Sequence, residues 1–394
     1  MNFVFISPTF PKCYYKFCES LKNKGVNVLA IGDTPYDYLP QELINSVNEY
    51  YRVDSMENYD EMYRACAYFS FHYGKIDWLE SNNEYWLEQD ARLRTDFNIT
   101  TGIKTEDIEE LKCKSNMKKY YKKAGIKTAR YHMVSTYEEG KKFIEKVGYP
   151  VVVKPDNGVG AAATYKISND EELKNFYNED LITEYIMEEY VNGLIVTYDG
   201  IANLDKEVVF ETSHVFPNPI MDVVNDASSM YYYSVREIPE DLKEAGRACV
   251  KQFFTAGRCF HMEFFRMLED KKGLGKKGDI IGLEVNHRMP GGYTPDMMCW
   301  ANEFNVYDAY ADMVTVGHGN FDENHRPYHC IYCGRRDGIN YTHNHEEIMN
   351  KYGMKMRQAE RMPDILSGAM GNFTYTATFE TQTEVDEFVD YVLG

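Results

Sequence analysis

Three polar residues stand at alternate positions, Glu284, Asn286 and Arg288, after an apolar stretch that begins at residue 280. Alternate residues of a strand point to the same face, so a strand here would present a carboxylate, an amide oxygen and a guanidinium together. Such oxygens suit a divalent cation that holds polyphosphate, and the guanidinium would add a fixed positive charge beside the reacting group. An exposed strand with ordinary polar alternation accounts for the pattern equally well, so both interpretations stay open at this point.

The next residues, MPGG at 289 to 292, include two adjacent glycines. Gly291 and Gly292 permit a sharp turn and leave backbone amides free to meet an anion. The turn is therefore predicted to offer an anion-binding edge beside Arg288.

Lys154 ends the apolar run VVVK, in a strand that should otherwise be fully buried. A buried lysine is costly unless it meets an anion. Just beyond it, the segment NGVGA at 157 to 161 contains Gly158, Gly160 and Ala161, whose small size lets backbone amides approach phosphate oxygens. A simple β-hairpin explains the glycine turn about as well. The combination with Lys154 favours a phosphate site.

A second carboxylate, Glu263, lies in the bulky apolar segment HMEFF. A lone carboxylate in such a strand is expensive, and a metal ion would neutralise it. If the strands of Glu263 and Glu284 are adjacent, the two side chains form the kind of pair that holds magnesium against nucleotide phosphates.

The segment ITEYIMEEYVNG, at 182 to 193, predicts a strand that leads into a linker. The backbone groups of such a hinge can meet an adenine edge, while apolar side chains enclose the ring. The alternative is that Glu188 and Glu189 form a plain acidic surface.

The elements that must position these residues begin with short apolar runs at 2–7, 26–31, 50–53 and 75–80, which predict strands. Helices are predicted between them, including 57–73, and after them at about 83–97. This alternation predicts a doubly wound parallel sheet that binds ligands at the carboxyl ends of its strands. Glu84 follows the fourth strand, where the sheet could present it to a substrate. The start of a solvent-facing helix is the commoner reason for an acid there.

A polar, turn-forming stretch at 98–104 predicts a domain boundary. Beyond it we expect a helix over 105–124, then two strands between helices that begin with capping boxes at Thr136 and Ser168. Further strands are predicted within 182–232 and at 259–268 and 279–287, with a helix at about 239–257 between them. The tail is predicted to hold strands near 328–333 and 372–379 and a last helix from Thr383. The expected divisions are 1–100, 101–185, 186–325 and 326–394, a fold of α/β and α+β class.

The composition limits the class of protein. The chain has 394 residues, is 44% hydrophobic and carries a formal net charge of −19, which predicts a globular protein and argues against a nucleic-acid partner. No apolar run approaches the ~20 residues of a membrane span, and the start MNFVFISPTF does not resemble a signal peptide. Nine scattered cysteines indicate reduced thiols, so we expect a cytoplasmic protein.

A set of histidines and cysteines in the tail raises the question of zinc. His329 precedes a CxxC pair, Cys330 and Cys333, which is followed by His343 and His345. The second half lacks the usual histidine spacing of zinc sites. The sequence therefore favours a buried strand that ends in a turn.

Taken together, these motifs resemble the ATP-grasp superfamily, which includes biotin carboxylase, D-alanine–D-alanine ligase and many carboxylate–amine ligases. The likeness covers nearly the whole chain, because five separated motifs occur in the expected order. It implies an N-terminal pre-ATP-grasp domain with a doubly wound parallel sheet, followed by a two-lobed ATP-grasp fold. The implied cofactors are ATP and Mg²⁺ (or Mn²⁺).

The resemblance also implies roles for the residues at matching positions. The expected ATP contacts come from two lysines, the glycine-rich loop and the hinge backbone: Lys114, Lys154, Gly158, Gly160, Ala161, Glu188, Glu189 and Val191. Lys112 is a rival for the position of Lys114. Glu263 and Glu284 would hold magnesium, with Asn286 on a second ion. Arg288 would stabilise an acyl phosphate and the tetrahedral intermediate, and Gly291 and Gly292 would form the substrate-side loop.

Two departures from the family pattern leave contacts open. Leu194 stands after the hinge glycine where many members carry an acid, so Asp199 is an alternative for the ribose contact. The basic residue that usually meets the γ-phosphate is either His214 or Arg236.

The resemblance implies an ATP-dependent ligase that activates a carboxylate as an acyl phosphate and joins it to an amine, with release of ADP and phosphate. Two alternatives stay open: an enzyme that uses bicarbonate as the acid, and a nucleotide-binding regulator without turnover. The expected partners are a small carboxylate and a small amine, with no nucleic acid and no membrane, in a possible homodimer.

Overall fold

The structure is a computed structural model that describes residues 1–158, 163–181, 183–217 and 228–394. Its strands form three sheets, one of four parallel strands and two in which antiparallel pairs predominate. Among the described helices, none is long and apolar enough to cross a lipid bilayer.

The N-terminal sheet is parallel, with strand order β3-β2-β1-β4. The expected α/β alternation is confirmed, with most element ends within two or three residues of their predicted positions. The helix predicted from about residue 83 begins as a short 3-10 helix, Glu84–Trp86. The elements are β1 (Asn2–Ile6), α1 (Tyr15–Asn23), β2 (Asn27–Gly32), a 3-10 helix (Tyr36–Tyr38), α2 (Gln41–Ser46), β3 (Glu49–Arg52), α3 (Tyr59–Tyr73), β4 (Trp78–Glu80) and α4 (Leu87–Asp96).

The second sheet is antiparallel, with order β6-β9-β7-β8. The prediction of one long helix over 105–124 is wrong. The helix is interrupted at Cys113, whose backbone is extended and pairs with Asn157. The helix predicted to begin with Ser168 is capped instead by Asn169, whose side chain accepts from two backbone amides. The elements are a 3-10 helix (Thr105–Asp107), α5 (Ile108–Lys112), α6 (Lys114–Lys123), β6 (Tyr131–Met133), α7 (Tyr137–Val147), β7 (Val151–Pro155), β8 (Tyr165–Ile167), α8 (Asp170–Tyr177) and β9 (Tyr185–Glu189).

The third sheet has ten strands in the order β17-β18-β16-β13-β12-β10-β14-β15-β5, with β11 paired to β10. The strands predicted in the tail continue this sheet. Two of its strands, Lys127–Thr128 and Met356–Arg361, and four helices of this region were not predicted. Its strands are β5 (Lys127–Thr128), β10 (Gly193–Ala202), β11 (Val208–Thr212), β12 (His214–Phe216), β13 (Met230–Ser234), β14 (Arg258–Met267), β15 (Ile280–Asn286), β16 (His329–Arg335), β17 (Met356–Arg361) and β18 (Phe373–Phe379). The helices of this region are α9 (Glu240–Gln252), α10 (Thr294–Asn302), α11 (Val306–Val316), α12 (His345–Tyr352), α13 (Asp364–Met370) and α14 (Gln382–Leu393).

One hydrophobic core joins the N-terminal sheet to the ten-stranded sheet. Phe17 on α1 packs edge-on against Tyr307 and Tyr310 of α11, with ring centroids 4.8 and 5.1 Å apart. A buried ion pair strengthens the junction, because Glu80 at the end of β4 lies 3.1 Å from the Arg258 guanidinium on β14. The loop after β4 is thereby held against the strands that carry Glu263 and Glu284.

Candidate functional site

Glu263 and Glu284 lie directly opposite each other on the antiparallel strands β14 and β15. A register shift follows immediately after Glu263, which marks a local irregularity at this point. The buried Tyr121 hydroxyl on α6 lies 3.2 Å from the Glu263 carbonyl oxygen and 3.0 Å from that of Glu284. Tyr121 therefore holds the backbone of both strands at the residues that carry the two carboxylates.

His261 connects Glu263 to Asp199, a fully buried residue on β10. His261 Nε2 lies 3.2 Å from Glu263 Oε1, and His261 Nδ1 lies 2.6 Å from Asp199 Oδ1. Asp199 Oδ2 lies 2.7 Å from His214 Nδ1. The site thus has a hydrogen-bonded support that extends across three neighbouring strands.

Burial and charge affect the members of this group differently. Burial alone would raise the pKa of Glu263, but the His261 side chain outweighs it and lowers that pKa. Burial likewise opposes the charge on His261, yet the Asp199 carboxylate raises its pKa to about 9. Burial raises the pKa of Glu284, an effect that Lys114 opposes and the Glu263 carboxylate reinforces. Two facing carboxylates that repel each other would gain from a cation between them.

The chemistry of this oxygen set suits magnesium. Mg²⁺ is usually held by one or two carboxylates, with substrate phosphates and waters as the remaining ligands. Asn286 faces His261 in the strand register and lies one alternate position beyond Glu284, so it belongs to the same face. Within the described ranges, no group of three or more His, Cys, Asp and Glu side chains forms a metal cluster. Cys330 and Cys333 lie within β16, the buried strand that the sequence favoured.

Lys154 and Lys118 share one buried carboxylate, that of Glu188. Lys154 Nζ lies 2.7 Å from Glu188 Oε2, and Lys118 Nζ contacts the other oxygen. All three side chains are at most 11% exposed. The argument that a buried lysine must meet an anion is thus confirmed for Lys154, with Glu188 as the anion within the protein. The alternative of a plain acidic surface is wrong for Glu188.

Lys114 begins α6 and points to the loop that follows β7. Its ammonium donates to the Gly158 carbonyl at 2.9 Å, and its backbone N–H donates to the Asp156 carbonyl at 2.9 Å. The Asp156 carboxylate accepts from both the N–H and the hydroxyl of Ser115. The interruption of the helix at Cys113 is what places Lys114 beside the predicted phosphate loop. Gly160 and Ala161 of that loop lie outside the described residues.

The hinge between the second and third sheets is held by Glu189. Its carboxylate accepts a bidentate pair from the Arg130 guanidinium at 2.9 and 2.6 Å, and Lys271 lies 3.5 Å away. The alternative of an acidic surface is therefore wrong here too. Val191 follows between the strands and is buried. No hydrogen bond joins the N–H or C=O of Val191 to any group in the described part of the chain, so both stay available to a ligand.

Arg288 lies two residues beyond the end of β15, next to Glu84, which begins the 3-10 helix that follows β4. The Arg288 Nε atom lies 3.7 Å from Glu84 Oε2, and both side chains are less than one-fifth exposed. That Glu84 oxygen is buried and has no hydrogen-bond partner among the described residues. The commoner explanation for an acid at this position, a solvent-facing helix start, is wrong for Glu84.

The adjacent glycines adopt different backbone conformations. Gly292 has φ +64°, and a Cβ there would lie 2.6 Å from the Met370 side chain, whereas nothing lies within 4 Å of a Cβ at Gly291. The Gly291 carbonyl accepts from the Thr294 hydroxyl at 2.8 Å. The predicted sharp turn is confirmed, with Gly292 as the residue that requires glycine.

Gly292→Ala should lower the free energy of unfolding by about 1–2 kcal/mol, because alanine is strained at positive φ. Gly291→Ala is the matched control and should unfold like wild type in the same urea titration. Equal midpoints for both variants would contradict the assigned role of Gly292.

Three residues proposed for ribose or phosphate contacts are engaged elsewhere. Asp199 is fully buried between His261 and His214, so its expected ribose contact is wrong. His214 is 1% exposed and directs Nδ1 to Asp199, which leaves no open approach for a γ-phosphate. Arg236 donates hydrogen bonds to the carbonyl oxygens of Arg326 and Glu380, so its guanidinium is engaged by the C-terminal part of the chain. The sequence could not reveal these partners, because each lies many residues away.

Glu188→Gln should lower the free energy of unfolding by about 3–5 kcal/mol near neutral pH, because it leaves Lys118 and Lys154 buried without a full countercharge. Burial opposes ionisation, but the two lysines lower the pKa of Glu188 from 4.5 to about 2. A lowered carboxyl pKa stabilises the fold above the unfolded-state value, and this contribution is lost as pH falls from 4.5 towards 2.

The difference between wild type and Glu188→Gln should therefore shrink as the pH of a urea titration is lowered through this range. Glu145→Gln replaces an exposed glutamate on α7 and serves as the control. A difference that is independent of pH would contradict the ion-pair explanation.

Comparison with known proteins finds a family match for one segment of the chain. Residues 112–203, which include Lys114, Lys154, Glu188 and Val191, match the model of the ATP-grasp (A) domain of phosphoribosylglycinamide synthetase. The chain carries an ATP-grasp domain. D-alanine–D-alanine ligase B of Clostridium perfringens is 39% identical over 87 residues, which are 21% of this chain and 29% of that protein. The chain spans less than a third of the length of the curated relatives that it matches.

Solved structures share the ATP-grasp fold over almost the whole chain. The L-amino acid ligase from Bacillus licheniformis has a TM-score of 0.71 at 15% identity, covering 99% of this chain and 97% of that one. N5-carboxyaminoimidazole synthetase from Staphylococcus aureus gives the same TM-score, identity and coverage. At this identity the likeness establishes the fold. The expectation of an ATP-grasp architecture is thus confirmed.

Sequence reasoning missed three residues that surround the candidate site, Lys118, Tyr121 and His261, and it assigned Asp199 to a different contact. Lys118 and Tyr121 carried a signal, since both face inward on α6 at helical spacing from Lys114. His261 stands two residues before Glu263, at the spacing that puts both on one strand face. Asp199 had no local signal beyond being an acid within an apolar strand.

Proposed function

We propose that this ATP-grasp protein is an ATP-dependent ligase that activates a carboxylate as an acyl phosphate and joins it to an amine. The observation that carries the proposal is the facing pair Glu263 and Glu284. Lys114, Lys154 and Arg288 each lie close enough to this pair to affect its titration. Carboxylates for a divalent cation and fixed cations for phosphate oxygens are the elements that phosphoryl transfer requires.

ATP is proposed to bind between the second sheet and the ten-stranded sheet. Val191 would meet the adenine edge through its free backbone groups, in line with its place in the hinge. Lys114 and Lys154, with the loop from Gly158 to Ala161, would contact the phosphates. Lys118 belongs to the same charged group through Glu188, and we propose it as a further positioning residue for Lys154.

Magnesium is the proposed metal, held by Glu263 and Glu284, with Asn286 toward a second ion; manganese would be accepted by the same oxygen atoms. When bound, the metal would neutralise phosphate oxygens and stabilise the charge that develops during transfer. The protein's contribution is to orient the two carboxylates and to favour their charged forms. His261 lowers the pKa of Glu263, while Lys114 and Lys154 oppose the rise that burial causes in the pKa of Glu284.

The proposed reaction has two steps. An oxygen of the substrate carboxylate attacks the γ-phosphorus of ATP, the bond to the bridging oxygen breaks, and ADP leaves. The amine nitrogen then attacks the carbonyl carbon and loses a proton to solvent, the amide forms, and phosphate departs with the oxygen that came from the carboxylate. Arg288 would stabilise the negative oxygen in both steps, because its guanidinium can donate two parallel hydrogen bonds.

The acid and the amine are proposed to meet beside Arg288. Gly291 and Gly292 form the turn that follows it and would contact the acid. Glu84, on the 3-10 helix after β4, reaches the same place with a buried oxygen that lacks a partner among the described groups. A carboxylate there suits the N–H groups of an amine substrate. His214 and Arg236 are no longer proposed as substrate contacts.

The four divisions at 1–100, 101–185, 186–325 and 326–394 remain a proposal for the domain organisation. The strands of the last division extend the sheet of the third, so we propose that 186–394 unfolds as one unit. A homodimer is proposed by analogy with the biotin carboxylase domain of Hydrogenobacter thermophilus 2-oxoglutarate carboxylase, whose structure is described as a dimer. Light scattering on the purified protein measures the mass directly.

The function is tested by mixing the protein and Mg-ATP with a matrix of small acids and amines while ADP is measured. We expect multiple-turnover ADP release for at least one acid only when an amine is also present, together with a product of the summed mass minus water. ADP release that requires bicarbonate would favour a carboxylase-like reaction. Tight ATP binding without ADP release in any mixture would favour a regulator.

A further inference from the structure

Asp199 is a fully buried aspartate within β10 whose carboxylate makes three close contacts. Its Oδ1 lies 2.6 Å from His261 Nδ1, and its Oδ2 lies 2.7 Å from His214 Nδ1. Oδ2 also accepts a hydrogen bond of 2.5 Å from the Thr197 hydroxyl. A buried carboxylate with both oxygens engaged has little freedom to rotate, so it provides a rigid anchor for the groups that it contacts.

His261 transmits this anchor to the proposed metal site. In the register of β10 and β14, Asp199 faces His261 and Thr197 faces Glu263, so these side chains form one row on adjacent strands. The contact of His261 Nδ1 with Asp199 fixes the plane of the imidazole ring. His261 Nε2 is thereby directed at Glu263 Oε1, 3.2 Å away. The orientation of the Glu263 carboxylate therefore depends on a residue one strand further from the site.

We propose that Asp199 is a positioning residue for the metal site, which acts through His261 to hold the Glu263 carboxylate in the orientation that a divalent cation requires. The proposal rests on the proposed function, since it takes Glu263 to be a metal ligand. Neighbours that orient a ligand by hydrogen bonds typically contribute about 10–100-fold to metal affinity. A purely structural role for Asp199 would affect stability without a selective effect on the metal.

The test measures Mn²⁺ binding to the full chain by electron paramagnetic resonance in the presence of a non-hydrolysable ATP analogue. Asp199→Asn should raise the Mn²⁺ dissociation constant about 10–100-fold. Affinity for the same analogue in EDTA, without metal, should stay at the wild-type value. Glu211→Gln is the control, because Glu211 is another buried carboxylate next to β10 but pairs with Arg247 at 2.9 Å. It should bind Mn²⁺ like wild type.

A second variant tests whether Asp199 acts on the metal site through His261. His261→Gln should weaken Mn²⁺ binding by a similar factor, and adding Asp199→Asn to it should cause no further loss. Wild-type Mn²⁺ affinity in Asp199→Asn overturns the proposal, as does an equal loss of analogue affinity in EDTA or full multiplication of the two losses. If Asp199→Asn does not fold, wild-type Mn²⁺ affinity in His261→Gln overturns it. Failure of the wild-type protein to bind Mn²⁺ with the analogue contradicts the proposed function instead.

Discussion

Glu284→Gln is expected to reduce ADP release by about a thousandfold, and Glu263→Gln by a similar factor. Metal-assisted charge stabilisation contributes several kcal/mol to phosphoryl transfer, and a tenfold change in rate corresponds to about 1.4 kcal/mol. Glutamine keeps the size of the side chain and one acceptor oxygen but removes the charge that holds the cation. The facing arrangement on β14 and β15 means that either substitution leaves a single carboxylate at the site.

The measurement is the initial rate of ADP release at saturating ATP, repeated over a range of Mg²⁺ concentrations. Both variants should shift the Mg²⁺ requirement upward as well as lower the maximal rate. Glu269→Gln, at an exposed glutamate just after β14, should behave like wild type. Retention of ADP release in the Glu263→Gln/Glu284→Gln double variant would show that the metal assignment is wrong.

Arg288→Lys is expected to lower kcat by about a hundredfold while the KM for ATP changes little. Arginine offers a planar, bidentate fork, whereas lysine is a compact point charge, so the substitution keeps the charge and loses the geometry. Loss of one well-placed donor to a developing oxyanion costs about 10²–10³ in rate. Arg288 lies beside Glu84 rather than beside the buried lysines, so its effect should fall on the acid and amine rather than on ATP.

The control is Arg361→Lys, which alters an exposed arginine that pairs with Asp337 on the surface. It should leave both kinetic constants unchanged. An Arg288→Lys variant with wild-type kcat, or one whose defect lies wholly in the KM for ATP, would contradict the role proposed for Arg288.

The parts of the molecule that follow from local pattern could be predicted. Alternation of strands and helices gave the parallel N-terminal sheet because each element of β1 to β4 is short, apolar and bounded by turn residues. Alternation within strands placed Glu284 and Asn286 on one face. The cost of burying a lysine predicted that Lys154 meets an anion, which the structure provides in Glu188.

The parts that depend on distant partners could not be predicted. The interruption at Cys113 requires the backbone pairing with Asn157, which lies far along the chain, and the helical pattern continues through it. Asp199 was expected to contact a ribose because it follows the hinge, but its partners are two histidines on neighbouring strands. The position of Glu84 beside Arg288 could not be predicted either, because it depends on how the N-terminal sheet packs against the ten-stranded sheet. Contacts between residues that are distant in sequence are thus what sequence periodicity leaves undetermined.

The acyl-phosphate claim is tested most directly with an acid labelled with oxygen-18 in its carboxylate, chosen from the pairs that support ADP release. The labelled acid, the amine, Mg-ATP and the protein are incubated, and the released phosphate is analysed by mass spectrometry. The account predicts that each phosphate carries one oxygen atom from the acid, because the carboxylate oxygen that attacks the γ-phosphorus leaves with it. Unlabelled phosphate, formed at the same rate as ADP, would contradict the account.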